Sequence, residues 1–312
     1  MSDFDSSYGY SLEQLLSVPT PFEPQGFYEF WQNRYQYAIN INPQPQIMLS
    51  TQTHQDYHCY DVVYESTNSF YIGAWLLLPK YGEVKRGIIV GHGYGGRDKP
   101  DFHLPIADAA FLFPCFRGLS KSRCDWISDN PYYHVQHDLD KRDDYIIGKC
   151  VEDLWLAVSV LIMLVPEVYG HIGYIGLSFG GGIGALALPC EYRIQRAHFN
   201  VPTFGHHALR MQFPTWGSTR GLQDYKKSDC HVLDTLSYYD AATAARHIKI
   251  PVHVAAALKD PVVAPPSQFS IYNALSHEKQ LFILDMGHSD YPHQKAQEHA
   301  LLCELQDFFK AL

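Results

Sequence analysis

His171-Ile172-Gly173-Tyr174-Ile175-Gly176-Leu177-Ser178-Phe179-Gly180-Gly181-Gly182 is a short apolar run, then a serine between glycines, then small residues continuing through Ile183-Gly184-Ala185. It reads as strand, tight turn and helix, with the helical part over Ile183 to Leu188. Glycines at 176 and 180 remove the Cβ atoms that a sharp strand-to-helix turn would press against its neighbours, leaving the Ser178 hydroxyl exposed above a sheet. A Gly-x-Ser-x-Gly pentapeptide alone is weak, because any glycine-rich turn can match it. Its setting between a β-favouring and a helix-compatible segment is what gives it weight.

A serine hydroxyl is a poor nucleophile near neutral pH, so a histidine must take its proton and a carboxylate must orient that histidine. Both residue types follow downstream. Asp260 stands in Lys259-Asp260-Pro261-Val262-Val263, past the apolar run Val252 to Ala257, and His288 stands in Asp285-Met286-Gly287-His288-Ser289, past the run Gln280 to Leu284. The order Ser178, Asp260, His288 is that of the α/β-hydrolase fold. An acyl-transfer site also needs donors for the oxyanion. Gly91-His92-Gly93-Tyr94-Gly95-Gly96 directly follows the run Ile88 to Val90, so the main-chain N–H groups of Tyr94 and Phe179 are the expected pair.

The rest of the chain fits this frame. Two β-rich runs, Tyr57 to Glu65 and Phe70 to Leu78, flank Ser66-Thr67-Asn68-Ser69 and predict an antiparallel hairpin. From Gly87 onward apolar runs alternate with helical stretches, the pattern of a mostly parallel central sheet flanked by helices. Gly87 to Val90, Ala110 to Phe113 and Arg196 to Asn200 are further strands, while Val151, Leu154, Trp155, Val158, Ile162 and Val165 mark a helix stripe and Ala300 to Phe309 a closing amphipathic helix. Residues 1–50, rich in aromatics and prolines with a helix from Phe27 through Tyr37, read as an N-terminal arm packed on a hydrolase domain over 51–312. An aromatic and histidine-rich insertion, about 203–249, reads as a helical cap over the strand ends.

Composition narrows the function. The 312 residues carry a formal net charge of -9 and are 46% apolar, which supplies a large core but no basic footprint for nucleic acid. The longest apolar run, Leu154 to Val165, is too short to span a bilayer. The acidic, polar start Met1-Ser2-Asp3-Phe4-Asp5-Ser6-Ser7 does not resemble a secretory leader, and a cytoplasmic location is expected. Cys59, Cys115, Cys124, Cys150, Cys190, Cys230 and Cys303 are scattered and odd in number, so they read as reduced packing residues. The run His134-Val135-Gln136-His137-Asp138-Leu139-Asp140 has metal-ligand types but no pattern that converges them, and reads as a solvated loop; no metal or cofactor is expected. His92 reads as a turn residue, Arg117 as an ion-pair partner, and Asp285 and Asp290 as too near His288 in sequence to serve as the acid.

Taken together, Phe30-Trp31, Gly73-Ala74-Trp75-Leu76-Leu77-Leu78-Pro79-Lys80, Gly93-Tyr94-Gly95-Gly96-Arg97, Arg117-Gly118, Gly176-Leu177-Ser178-Phe179-Gly180-Gly181, Leu236-Ser237-Tyr238-Tyr239-Asp240, Pro265-Pro266-Ser267, Tyr272-Asn273 and Gly287-His288 resemble the acetyl xylan esterase and cephalosporin C deacetylase family, carbohydrate esterase family 7. The resemblance covers most of the chain. It implies a serine esterase that removes acetyl groups from sugar hydroxyls, including short xylo-oligosaccharides, in an intracellular homo-oligomer, a hexameric ring. It also implies Ser178 as nucleophile, Asp260 as acid, His288 as base, and Tyr94 and Phe179 as oxyanion donors, with a small-molecule ester as the partner. Phe179 stands where the family has Gln, Leu119 follows Arg117-Gly118 where it has Gln, and Ser289 follows His288 where it has Glu; the changes predict a less polar pocket. A peptidase or thioesterase of the same fold, or a non-catalytic binding protein on its scaffold, are the alternatives.

Overall fold

The computed structural model describes residues 4–226 and 231–312; Met1-Ser2-Asp3 and Cys230 lie outside the described residues. Among the described residues nine strands form one sheet: β1 (Gln46–Leu49), β2 (Tyr57–Glu65), β3 (Tyr71–Pro79), β4 (Arg86–Gly91), β5 (Ala109–Pro114), β6 (Ile172–Leu177), β7 (Ile194–Asn200), β8 (Val252–Ala257) and β9 (Lys279–Leu284). Their spatial order is β1-β2-β3-β5-β4-β6-β7-β8-β9. The first three strands and the β3/β5 pair are antiparallel, and every pair from β5 through β9 is parallel. The helices are α1 (Leu12–Leu16), α2 (Phe27–Ile39), α3 (Pro131–His134), α4 (Ile146–Leu164), α5 (Phe179–Ala187), α6 (His207–Arg210), α7 (Thr219–Lys226), α8 (Val232–Ser237), α9 (Ala241–Ala245), α10 (Pro265–Ala274) and α11 (Gln294–Phe309). This is the α/β-hydrolase architecture.

Parallel strands are covered on both faces, so their sequences run apolar without alternation. Along β5, Ala110 and Leu112 join the core shared with α2, α4 and α5, whereas Ala109, Phe111 and Phe113 join the core under α11. Leu301, Leu305, Phe308 and Phe309 are the α11 side chains that reach the sheet. Helix α4 is buried over most of its circumference, because α2 covers its outer side: the Trp31 ring meets Trp155 edge-on at 6.1 Å, and Tyr35 meets the same indole at 5.1 Å. The Trp31 indole N–H also donates to Tyr238 O at 3.0 Å, tying α2 to the 203–249 segment.

Three local expectations change. The helix after the serine starts at Phe179, not Ile183, because the low helix propensity of Gly180-Gly181-Gly182 is overridden by close packing. A Cβ on Gly180 would lie 2.6 Å from the Gly91 carbonyl carbon, while the Gly180 N–H donates to His92 O at 2.9 Å. Strand β1 is additional, an edge strand whose four residues are exposed. The stretch at His134 is not a solvated loop: His134, Val135 and Leu139 are fully buried, with His134 closing α3.

Candidate active site

Ser178 sits at the turn between β6 and α5 with φ 50° and ψ -102°, a strained conformation for a residue with a Cβ. Hydrogen bonds hold it there. Its N–H donates to Asn200 O at 2.8 Å, and its carbonyl accepts from Gly182 N–H at 3.0 Å and Thr203 N–H at 3.1 Å. Tyr174 donates its hydroxyl to Gly180 O at 2.5 Å, pinning the first turn of α5 to β6. The strain is thus over-determined by neighbours on three elements.

The structure brings Ser178, His288 and Asp260 into one relay. His288 Nε2 lies 2.9 Å from Ser178 Oγ, and its Nδ1 lies 2.7 Å from Asp260 Oδ2. A carboxylate only accepts, so Nδ1 carries the proton and Nε2 is the acceptor facing the serine. His288 also has a positive φ, 52°, and a Cβ on the preceding Gly287 would overlap Asp260 Oδ2, so only glycine fits there. Asp260 is fully buried on the loop after β8. Its Oδ1 accepts the N–H groups of Val262 and Val263 at 2.8 and 2.9 Å, and its Oδ2 accepts the Gln268 amide at 2.8 Å.

Gln268 is a site residue that the sequence reading did not single out. It lies in α10, which opens on Pro265-Pro266 just after the Asp260 loop, and its amide also donates to Val263 O at 2.7 Å while its oxygen accepts Ala257 N–H at 2.9 Å. The proline pair is the signal that could have found it: a helix starting there turns its first residues back toward the acid.

A cavity of about 770 Å³ opens over the relay. Tyr94, Leu177, Ser178 and His288 line it, and Thr203, Thr215, Trp216, Gly217, Ser218 and Arg220 contribute from the 203–249 segment. Phe179 does not line it. Its ring is fully buried, 4.2 Å from the Tyr94 ring and 5.5 Å from the Phe116 ring, because the turn that sets the largely buried Ser178 against the cavity directs the next side chain into the core. Leu119 is buried as well. The expected loss of pocket polarity from these two positions is therefore corrected; of the three departures only Ser289 borders the cavity.

Tyr94 lies in the loop after β4 and Phe179 is the first residue of α5, the two elements in which the sequence places them. At a helix N-terminus the N–H has no acceptor inside the helix. The Tyr94 hydroxyl donates to His134 Nδ1 at 3.0 Å, and His134 Nε2–H donates to Arg117 O at 3.0 Å. Burial pushes the His134 imidazole down to about 4, keeping it neutral as this chain of bonds requires. His92 is likewise buried and pushed down to about 3; it bonds Gly93 O and accepts Phe116 N–H, a structural role at the turn.

Arg117 makes the ion pair expected of it, reaching Asp153 at 2.5 Å with Ser66 and Thr67 alongside. Both His288 nitrogens are engaged by Asp260 and Ser178, so neither Asp285 nor Asp290 orients the ring; Asp290 instead borders the cavity. Cys59, Cys115, Cys150 and Cys190 are free and buried and Cys124 is half-buried against the core, whereas Cys303 is exposed and is not a core packing residue. Among the described residues no group of His, Cys, Asp or Glu is arranged to hold a metal ion.

A profile of the acetyl xylan esterase (AXE1) family matches residues 10–305. Among solved structures, acetyl xylan esterase 1 from Thermoanaerobacterium sp. JW/SL YS485 is similar over 97% of this chain and 99% of its own, at 21% identity and a TM-score of 0.79. The acetyl xylan esterase from Paenibacillus sp. R4 is similar over 96% of this chain and 100% of its own, at 21% identity and a TM-score of 0.82. The acylaminoacyl peptidase of Pyrococcus horikoshii shares the fold over 82% of this chain but only 42% of its own, at 15% identity and a TM-score of 0.64. With the family profile spanning nearly the whole chain, this protein belongs to the acetyl xylan esterase (AXE1) family of the α/β-hydrolase superfamily and is a serine-type carboxylic ester hydrolase of small acetylated substrates.

Proposed function

We propose that Ser178, His288 and Asp260 carry the hydrolysis through an acyl-enzyme, with the Tyr94 and Phe179 amides as oxyanion donors. The observation that carries this reading is the relay of 2.9 and 2.7 Å from Ser178 Oγ through His288 to Asp260 beneath an open cavity. His288 Nε2 takes the Ser178 proton as Oγ bonds to the acetyl carbon, and the carbonyl electron pair moves onto the oxygen between the two amides. Collapse expels the alcohol, which receives the proton from His288. Water then repeats the sequence, giving acetate and free Ser178.

The substrate class that fits this cavity is an acetylated sugar or short xylo-oligosaccharide. Aromatic rings at Tyr132, Trp216 and Tyr291 stand among Asn130, Arg220, Asp290, Gln294 and Glu298, a mixture suited to sugar ring faces and hydroxyls. In this reading residues 1–50 are an arm on the hydrolase domain 51–312, with 203–249 as its cap. The assembly is a homo-oligomer, a hexamer, to be measured by analytical ultracentrifugation. The protein works in the cytoplasm, a reading supported by four buried free cysteines among the described residues, which suit a reducing compartment. Among the described residues no helix is long and apolar enough to cross a membrane.

Rapid mixing with p-nitrophenyl acetate, butyrate and octanoate tests the reaction. A burst favouring acetate, with Ser178→Ala reduced by roughly 10^4-fold or more while folded, is expected. Substantial activity in folded Ser178→Ala would overturn it.

A further inference from the structure

The loop that carries Asp260 is held from two sides, and one of them lies at the other end of the chain. The Asp260 N–H donates to Ser6 O at 2.9 Å, and the Tyr8 hydroxyl donates to Pro214 O at 2.9 Å and to Asp260 O at 3.3 Å. Residues 5–8 therefore take both main-chain polar groups of Asp260, while Val262, Val263, Gln268 and His288 take its carboxylate. Tyr8 adopts a left-handed backbone, φ 54°, in a turn closed by Asp5: its carboxylate accepts the Ser7 N–H at 2.9 Å and the Ser7 hydroxyl at 2.7 Å, and Tyr8 N–H reaches Asp5 O at 3.1 Å.

The same segment reaches the cavity wall. The Tyr8 ring lies 4.9 Å from Phe213, and Phe4 meets Trp216 edge-on at 6.1 Å. Trp216 N–H donates to Pro261 O at 2.9 Å, and Thr215 Oγ1 donates to Val262 O at 2.9 Å, so wall and acid loop are stitched together. Trp216 lines the cavity and is 54% exposed, so Phe4 supports a wall there and does not fill a core.

We propose that residues 4–8 are a positioning element of the active site, holding the main chain of Asp260 from behind and bracing the aromatic wall at Phe213 and Trp216. The physical reason is that Asp260 lies on an irregular loop, outside the ladder of the sheet, where its position needs support from further hydrogen bonds. A displacement of about 1 Å in such a group can cost about a hundredfold in rate. A segment that only covered apolar surface would have no reason to spend its hydroxyl and carbonyl on the acid's own peptide groups. The inference rests on the proposed role of Asp260 as the triad acid.

The test uses the full chain with Tyr8→Ala, Tyr8→Phe and Phe4→Ala beside Ser178→Ala, assayed for kcat and KM on p-nitrophenyl acetate and an acetylated xylo-oligosaccharide, with thermal unfolding of each. Tyr8→Ala is expected to lower kcat on p-nitrophenyl acetate about tenfold with little change in KM. Tyr8→Phe keeps the contact with Phe213 but not the hydrogen bonds, and is expected to recover part of that loss. Phe4→Ala is expected to raise KM several-fold on the oligosaccharide by loosening the Trp216 wall, and an unchanged KM there overturns the bracing role. Should Tyr8→Ala not fold, Tyr8→Phe decides, by a fall in kcat at unchanged folded fraction. Wild-type kcat in folded Tyr8 variants, beside an inactive Ser178→Ala, overturns this proposal alone. Activity in Ser178→Ala overturns the serine reading and this inference with it.

Discussion

Gln268 donates its amide to the buried Asp260 carboxylate and accepts an N–H from Ala257, so one side chain bridges β8, the loop and α10. Removing a hydrogen bond to a buried charge leaves that charge under-satisfied, at a cost of about 2 kcal/mol. Gln268→Leu also leaves Val263 O and Ala257 N–H without their partner, so it is expected to lower stability by more than about 2 kcal/mol in urea titration and to lower kcat roughly tenfold, because the carboxylate is freed to rotate away from His288. Unchanged kcat would mean that the Val262 and Val263 amides hold the carboxylate unaided. Phe179 carries the complementary lesson. Its identity departs from the family's Gln, yet the site meets only its main chain, since the ring is fully buried among Tyr94, Phe116 and Phe204.

At the scale of elements, α2 makes α4 possible. A helix apolar over most of its surface needs cover on its outer side. Trp31 provides it, fully buried against Trp155 and Tyr239, with its N–H satisfied by Tyr238 O. Trp31→Ala is expected to cost about 3–5 kcal/mol in chemical denaturation. Because α2 does not border the cavity over Ser178, kcat of the protein still folded should stay near that of the unaltered chain, read at low temperature. A joint loss of stability and kcat would mean that α2 also shapes the site.

The whole molecule carries a set of histidines that folding keeps neutral. Burial pushes His92 down to about 3 and His134 to about 4, and lowers His198, His207 and His253. In the unfolded chain each takes up a proton near pH 6.5. As pH falls below about 6.5 the unfolded state binds protons that the folded state refuses, so stability is fully present above that pH and is lost progressively toward about pH 4. Asp240 opposes this, since burial raises its carboxyl, but with one proton against five. Urea midpoints measured from pH 7.5 to 4.5 should fall steadily; a flat profile would contradict the neutral burial of these rings. The sequence by itself determined the alternation of strands and helices from Gly87 onward, the glycine-flanked turn at Ser178, and the strand ends bearing Asp260 and His288. Each of these follows from a local pattern of apolar runs and turn residues, legible within a short window. Only the tertiary structure decided that Gln268 turns toward Asp260, that His134 and Phe179 are buried, and that Tyr8 meets a loop 252 residues away. Those outcomes depend on which side chain fills the space that distant elements leave, and a local window carries no record of that space.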